Sequence, residues 1–201
     1  MKSFFFSQYL ITDPIEYGDD IYSLEKNLSN SFQNYNIDMI CFRDKISTSI
    51  EDLAKRTIEI SRKFNINKVL INSNIDLAIK LKFDGVHLKS NQFDDIKYAK
   101  ENNLYVIISC HNKIDIEKAK SLKCDAVTYS PIFYKKDKGK PKGLDDLSKM
   151  VEIYQDEYFK IIALGGIISN FQVEQIKTTK VSGFASIRYF KNDCNCIDTK
   201  V

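Results

Sequence analysis

The chain has 201 residues, 43% hydrophobic and 28% charged, with 30 basic against 27 acidic side chains and a net charge of +3. That is enough chain for a single domain, 1–201, with a substantial core. The charge is too balanced to make nucleic acid or an anionic membrane surface the main partner, so any useful positive charge must be local. Apolar Phe4-Phe5-Phe6 stops at Ser7-Gln8, too short for a secretory or membrane-spanning segment, and no other stretch comes close. The five cysteines show no framework spacing. Cys41, Cys110 and Cys124 lie in or beside apolar runs, where cysteine behaves as a small core residue, and Cys194-Asn195-Cys196 is a lone C-x-C. A reducing cytoplasm fits this usage.

From end to end, short apolar runs alternate with helical patterns. The runs at 9–12, 39–42, 68–71, 85–88, 104–109, 126–129, 160–164 and 183–187 read as buried parallel strands. Ile21, Leu24, Leu28 and Phe32 recur at helical spacing, as do Leu147, Val151, Tyr154 and Tyr158. Thr48-x-x-Glu51 and Ser169-x-x-Gln172 have capping-box form. Segment 75–81 leaves room for only a short helix, and little chain follows the last run. The pattern predicts a compact (β/α)₈ barrel with a short or missing last helix. An open doubly wound sheet would place a Gly-rich fingerprint after its first strand. Here that strand ends Ile11-Thr12-Asp13-Pro14, and the glycines come late.

Barrel chemistry sits at the C-terminal strand ends. After strand six, Lys135, Lys136, Lys138, Lys140 and Lys142 crowd one loop closed by Gly143, a device suited to a phosphorylated small molecule. After strand seven, Gly165-Gly166 and a capped helix let backbone amides approach an anion, and Arg188 after strand eight adds a charged fork. Glycines there also suit a plain tight turn. Arg43 and Lys45 share the parity of Cys41 and are expected to face the mouth. Ser109 and His111 share a parity, and His111 stands where a strand-end general base would. His87 reads as a barrel-interior histidine fixed by a hydrogen bond.

Together these residues resemble the thiamine-phosphate synthase/TenI superfamily along nearly the whole chain. The matching pieces are Tyr9-Leu10-Ile11-Thr12-Asp13, Arg43-x-Lys45, Asn72 with Asp76-Leu77-Ala78, and Asp84-Gly85-Val86-His87-Leu88. Ser109-x-His111, Pro131-Ile132-Phe133 with Lys138 and Gly143, and Ala163-Leu164-Gly165-Gly166-Ile167 follow in order. The resemblance implies a barrel that handles thiazole phosphate in thiamine biosynthesis. The synthase joins it to a pyrimidine diphosphate with loss of pyrophosphate. By resemblance, Arg43, Lys45 and Lys138 hold the pyrophosphate, Asn72 and Ser109 contact pyrimidine and phosphate, and Gly165-Gly166 form the thiazole-phosphate loop. A homodimer is consistent with the family.

The departures are informative. Two aspartates that hold Mg²⁺ in the synthase pattern are Ser73 and Gln92 here, and neither supplies a hard anionic oxygen. The usual Gln before Phe42-Arg43 is Cys41, and the Thr-x-Thr before the loop lysine is Lys135 and Asp137. Segment 88–93 looks more like the TenI branch, associated with a metal-free thiazole tautomerase. Yet the tautomerase histidine is Pro131, as in synthases. The expected function is therefore a TenI-like protein binding thiazole phosphate through Gly165, Gly166 and Arg188, without a cofactor, with His111 as a substitute base. The alternatives are a divergent synthase, for which Mg²⁺ would be expected, and a non-catalytic binding or regulatory relative.

Overall fold

A computed structural model of the chain describes residues 6–135 and 139–191. Eight strands form a closed parallel barrel in sequence order: β1 (Ser7–Ile11), β2 (Met39–Phe42), β3 (Lys68–Asn72), β4 (Gly85–Leu88), β5 (Tyr105–Cys110), β6 (Ala126–Tyr129), β7 (Lys160–Leu164) and β8 (Gly183–Ser186). The helices α1 (Pro14–Tyr17) and α2 (Ile21–Asn34) follow β1. One helix follows each of the next six strands: α3 (Ile50–Lys63), α4 (Ile75–Leu81), α5 (Ile96–Glu101), α6 (Lys113–Ser121), α7 (Gly143–Tyr154) and α8 (Asn170–Lys177). Among the described residues only a single 3₁₀ turn, Tyr189–Lys191, follows β8. Cys194 and Cys196 lie outside the described residues.

Strand alternation sorts the core into two parts. Outward side chains such as Leu10, Ile40, Val69, Val86, Val106 and Val127 pack under the helices in one large cluster. Inward ones, including Tyr9, Met39, Cys41, Leu70, Ile107 and Ile162, fill the barrel. Cys41, Cys110 and Cys124 are buried and free, as expected of small core residues. No helix among the described residues is long and apolar enough to cross a membrane.

The foot of the barrel carries a repeated device that hydrophobic patterning does not reveal. Asp38, Asp84 and Asp125 each stand one residue before an even-numbered strand. Each carboxylate accepts the backbone N–H of the preceding strand: Gln8 at 2.8 Å, Val69 at 2.7 Å and Val106 at 2.7 Å. Between β7 and β8 the same task falls to Gln155, which accepts from Ile161 N and Ser182 N. Asp125 also takes both oxygens to Lys100 Nζ, at 2.8 and 2.7 Å. Asp125→Ala is expected to cost about 2 kcal/mol, since it removes a charge-assisted bond and leaves a partly buried amide unpaired. Denaturant unfolding of the variant measures it, and a loss no larger than that of a surface control would contradict this role.

Three local expectations are corrected. The N-cap of α3 is Ser49, with φ −101° and ψ 44° and no side-chain cap bond, so Thr48 and Glu51 form no capping box. That backbone is not the extended one that aims a cap hydroxyl at N3. Ile21 begins α2 but is 47% exposed, outside the buried stripe of Leu24, Leu28 and Phe32. Helix α7 ends at Tyr154 because the chain turns extended at Gln155, whose side chain ties the barrel foot, and Tyr158 is left 81% exposed. Ser169 and Gln172 form the complete capping box on α8.

Candidate active site

At the C-terminal mouth lies a cavity of about 710 Å³ lined from most strand ends. It brings together Arg43, Lys45, Asn72, Ser109, His111 and Gly165, all expected there, and adds Lys89, Ser90 and Asn91 from the loop after β4. A second cavity of about 430 Å³ sits over the ends of β7 and β8 and holds Gly165, Gly166 and Arg188. The two share Lys135, Leu164, Gly165 and Ile187. Gly143 lines neither, and Lys138 lies outside the described residues. Lys89 was missed as a site residue, although it shares the parity of His87, the same signal that marks Arg43 and Lys45.

The cavity floor is polar and fixed. Tyr9 Oη lies 3.0 Å from His87 Nδ1, and His87 Nε2 lies 3.1 Å from Ser109 Oγ and 3.2 Å from Thr128 Oγ1. Burial, and then the Arg43 guanidinium, push the His87 pKa down to about 4, so the ring is neutral at physiological pH. Burial likewise pushes the Cys41 thiol up to about 12, which makes it filler and not a nucleophile. Asn72 donates from its carboxamide to the His87 carbonyl at 2.8 Å, which anchors its side chain beside the floor. Tyr9→Phe is expected to cost about 1 kcal/mol by stripping His87 Nδ1 of its partner, read as a lowered unfolding midpoint.

Around the rim, Arg43, His111 and Arg188 each meet a specific partner. Arg43 Nη1 meets Asp13 Oδ2 at 2.6 Å, while Arg43 N and O clasp Thr12 Oγ1 at 2.7 and 3.1 Å. His111 Nδ1 lies 3.1 Å from the Ser130 carbonyl oxygen, which only accepts. Ser130 Oγ stands 3.3 Å from the same nitrogen. Arg188 is 64% exposed and faces Glu16 at 3.4 Å, so its position on the rim is shared with a carboxylate.

The diglycine turn serves two purposes. Ile132 N donates to Leu164 O and Phe133 N to Gly165 O, both at 3.0 Å, so the root of the lysine loop docks on β7 and its turn. The loop returns through Lys142 N to Pro131 O at 2.9 Å and Gly143 N to Ile132 O at 3.1 Å. Gly143 thus closes the loop root and starts α7. Gly165 and Gly166 have φ of +100° and +73°, and a Cβ on either would press into residues 131–134. The amides of Gly166 and Ile167 have no acceptor among the described residues, which suits an anion. By contrast Gln172 Oε1 takes the amides of Ile168 and Ser169, so the first turn of α8 adds its dipole but not those donors.

The residues at the family's Mg²⁺ positions do not fit that ion. Gln92 Nε2 donates to the Ser73 carbonyl at 3.2 Å and to Asp95 Oδ2 at 3.0 Å, while its Oε1 accepts from Lys89 N at 3.1 Å. Ser73 Oγ is shielded from solvent and has no hydrogen-bond partner among the described residues. No group of three or more His, Cys, Asp or Glu able to hold a metal occurs among the described residues. A hard divalent cation requires several anionic or carbonyl oxygens, and an amide N–H₂ occupies that place.

Fold and mouth define a (β/α)₈ protein with a cation-lined cavity at the C-terminal ends of its strands. A family model described as thiamine monophosphate synthase matches residues 8–190, and the chain belongs to this thiamine-phosphate synthase/TenI family of thiamine biosynthesis. It is 33% identical over 150 residues to a thiamine-phosphate synthase of Proteus mirabilis, covering 72% of this chain and 68% of that protein. Identity to the thiamine-phosphate synthase of a Hydrogenobaculum species is 27% over 194 residues, 92% of this chain and 86% of the relative. Among solved structures, a thiamine phosphate pyrophosphorylase from Pyrococcus furiosus superposes with a TM-score of 0.75 at 20% identity, covering 90% of this chain and 85% of the other. A 2-keto-3-deoxy-6-phosphogluconate aldolase of Zymomonas mobilis superposes at 0.66 with 15% identity, over 91% and 81% of the two chains. These structural likenesses concern the fold.

Proposed function

We propose that this chain is a divergent thiamine-phosphate synthase that joins a pyrimidine diphosphate to a thiazole phosphate and releases pyrophosphate. The observation that carries this is the pair of adjoining cavities, one large and lined by cations, the other small and built on glycines. A protein that isomerises one ligand needs one such grip, whereas a joining reaction needs two that meet. Relatives named thiamine-phosphate synthase support this reading over the tautomerase expected from the loop after β4, and so does Pro131 at the tautomerase histidine position.

In this reading Arg43, Lys45 and the lysines of the loop after β6 hold the diphosphate. Asn72 and Ser109 orient the pyrimidine, and the amides of Gly166 and Ile167 with Arg188 hold the thiazole phosphate. Holding both partners in one mouth replaces a bimolecular encounter by an oriented one. The free, buried cysteines accord with a cytoplasmic setting. The purified protein, given both substrates in assays with and without Mg²⁺, is expected to form thiamine phosphate and pyrophosphate. Absence of product under both conditions would reject the reading. His111→Gln is expected to retain product formation within about tenfold, because the amide keeps a donor for the Ser130 carbonyl. Loss of thiazole isomerisation in that variant, with no joining activity in the parent, would favour the tautomerase instead.

A further inference from the structure

The large cavity has an unusual charge balance. Arg43, Lys45, Lys89, Lys135, Lys140 and Lys142 line it, contributed by the loops after β2, β4 and β6, and no carboxylate lines it among the described residues. Asp13, which does not line the cavity, pairs with Arg43 at 2.6 Å. Lys142 Nζ sits 5.0 Å from the Tyr129 ring centre, a contact that orients an ammonium without neutralising it. Gln92, at a position the resemblance assigns to a metal-holding acid, staples the loops after β3 and β4 through the Ser73 carbonyl.

A bare diphosphate entering this mouth meets several positive charges at short range. A diphosphate already carrying a divalent cation brings less negative charge, and where the resemblance puts metal-holding acids this chain has a serine hydroxyl and a carboxamide already bonded to the Ser73 carbonyl and Asp95. We propose that this site binds the diphosphate group metal-free: lysines and Arg43 on three loops supply the neutralising charge, and the Gln92 staple takes the place of the metal. This rests on the reading that the large cavity is the diphosphate pocket of a joining enzyme.

The test is calorimetric titration of the full chain with inorganic pyrophosphate, once in EDTA and once in excess Mg²⁺. The Kd in EDTA is expected to be lower than, or within about threefold of, the Kd in Mg²⁺. Tightening by Mg²⁺ beyond about threefold overturns the proposal, as does absence of binding in both buffers. The double variant Ser73→Asp with Gln92→Asp restores two acids at the staple. Its pyrophosphate Kd in EDTA is expected to weaken by about tenfold or more and to recover with Mg²⁺. A folded double variant that binds like the parent in EDTA would place the staple away from the anion and also overturn it. The joining assay separates this from the broader reading. Metal-free pyrophosphate binding without thiamine phosphate formation sinks the synthase alone, whereas product formation with Mg²⁺-dependent binding sinks the metal-free site alone.

Discussion

Gly166→Ala is expected to destabilise the protein by roughly 2–4 kcal/mol and to remove binding of the thiazole phosphate. Two costs add. At φ +73° an L side chain enters the left-handed region, and the new Cβ would stand 2.6 Å from the Tyr134 carbonyl oxygen and 2.8 Å from Phe133 backbone atoms. Backbone cannot swing aside as a flexible side chain does, and this backbone is the root on which the lysine loop stands. The variant therefore disturbs the diglycine turn and the root of the lysine loop together. Gly143→Ala is the matched control. Its φ is +77°, yet a Cβ there meets nothing within 4 Å, so about 1 kcal/mol of conformational cost is expected. Denaturant midpoints for the two variants, with thermal shifts by thiazole phosphate, measure the difference. Equal losses would show that the close approach to residues 133–134 is not what requires glycine at 166.

Between pH 7 and pH 4 the stability advantage of the parent over His87→Gln is expected to shrink by about 3 kcal/mol. In the folded state burial holds the His87 pKa near 4, against 6.5 for the free side chain. Between those values the unfolded chain binds a proton that the folded chain refuses, so acid favours unfolding. The contribution is intact above about pH 6.5, declines as the pH falls and is fully lost near the folded pKa. Glutamine keeps polar contacts to Tyr9 and Ser109 but does not titrate, so the difference between the two proteins isolates this group. A difference that stays constant with pH would mean that the ring is protonated, or reached by water, in the native state.

Much of the fold was legible because strands and helices impose different periods on the same chain. The eight apolar runs stand within a residue or two of β1–β8, and Ser169-x-x-Gln172 forms the cap its spacing predicts. Inward parity placed Arg43, Lys45, Ser109 and His111 at one mouth without any contact being known. Misreadings arose where a local pattern met a tertiary demand. Tyr158 continues the helical spacing of Leu147, Val151 and Tyr154, but Gln155 is needed at the barrel foot and the helix stops. Gly143 closes the root of the lysine loop and lines neither cavity. The aspartates at 38, 84 and 125 carry no hydrophobic signal and emerge only when each meets the amide of a neighbouring strand.

The sequence by itself determined the barrel, the order of its strand ends and the concentration of lysine after β6, since these follow from periodicity and residue type along one dimension. It also showed Ser73 and Gln92 where the resemblance implies acids. Only the tertiary structure decided how those two residues meet. The Gln92 carboxamide reaches across to the Ser73 carbonyl, and the cations of three separate loops converge on one cavity that opens into the diglycine corner. Hydrogen bonds between residues far apart in the chain, and the summed charge of a cavity, depend on distances that exist only once the barrel has closed.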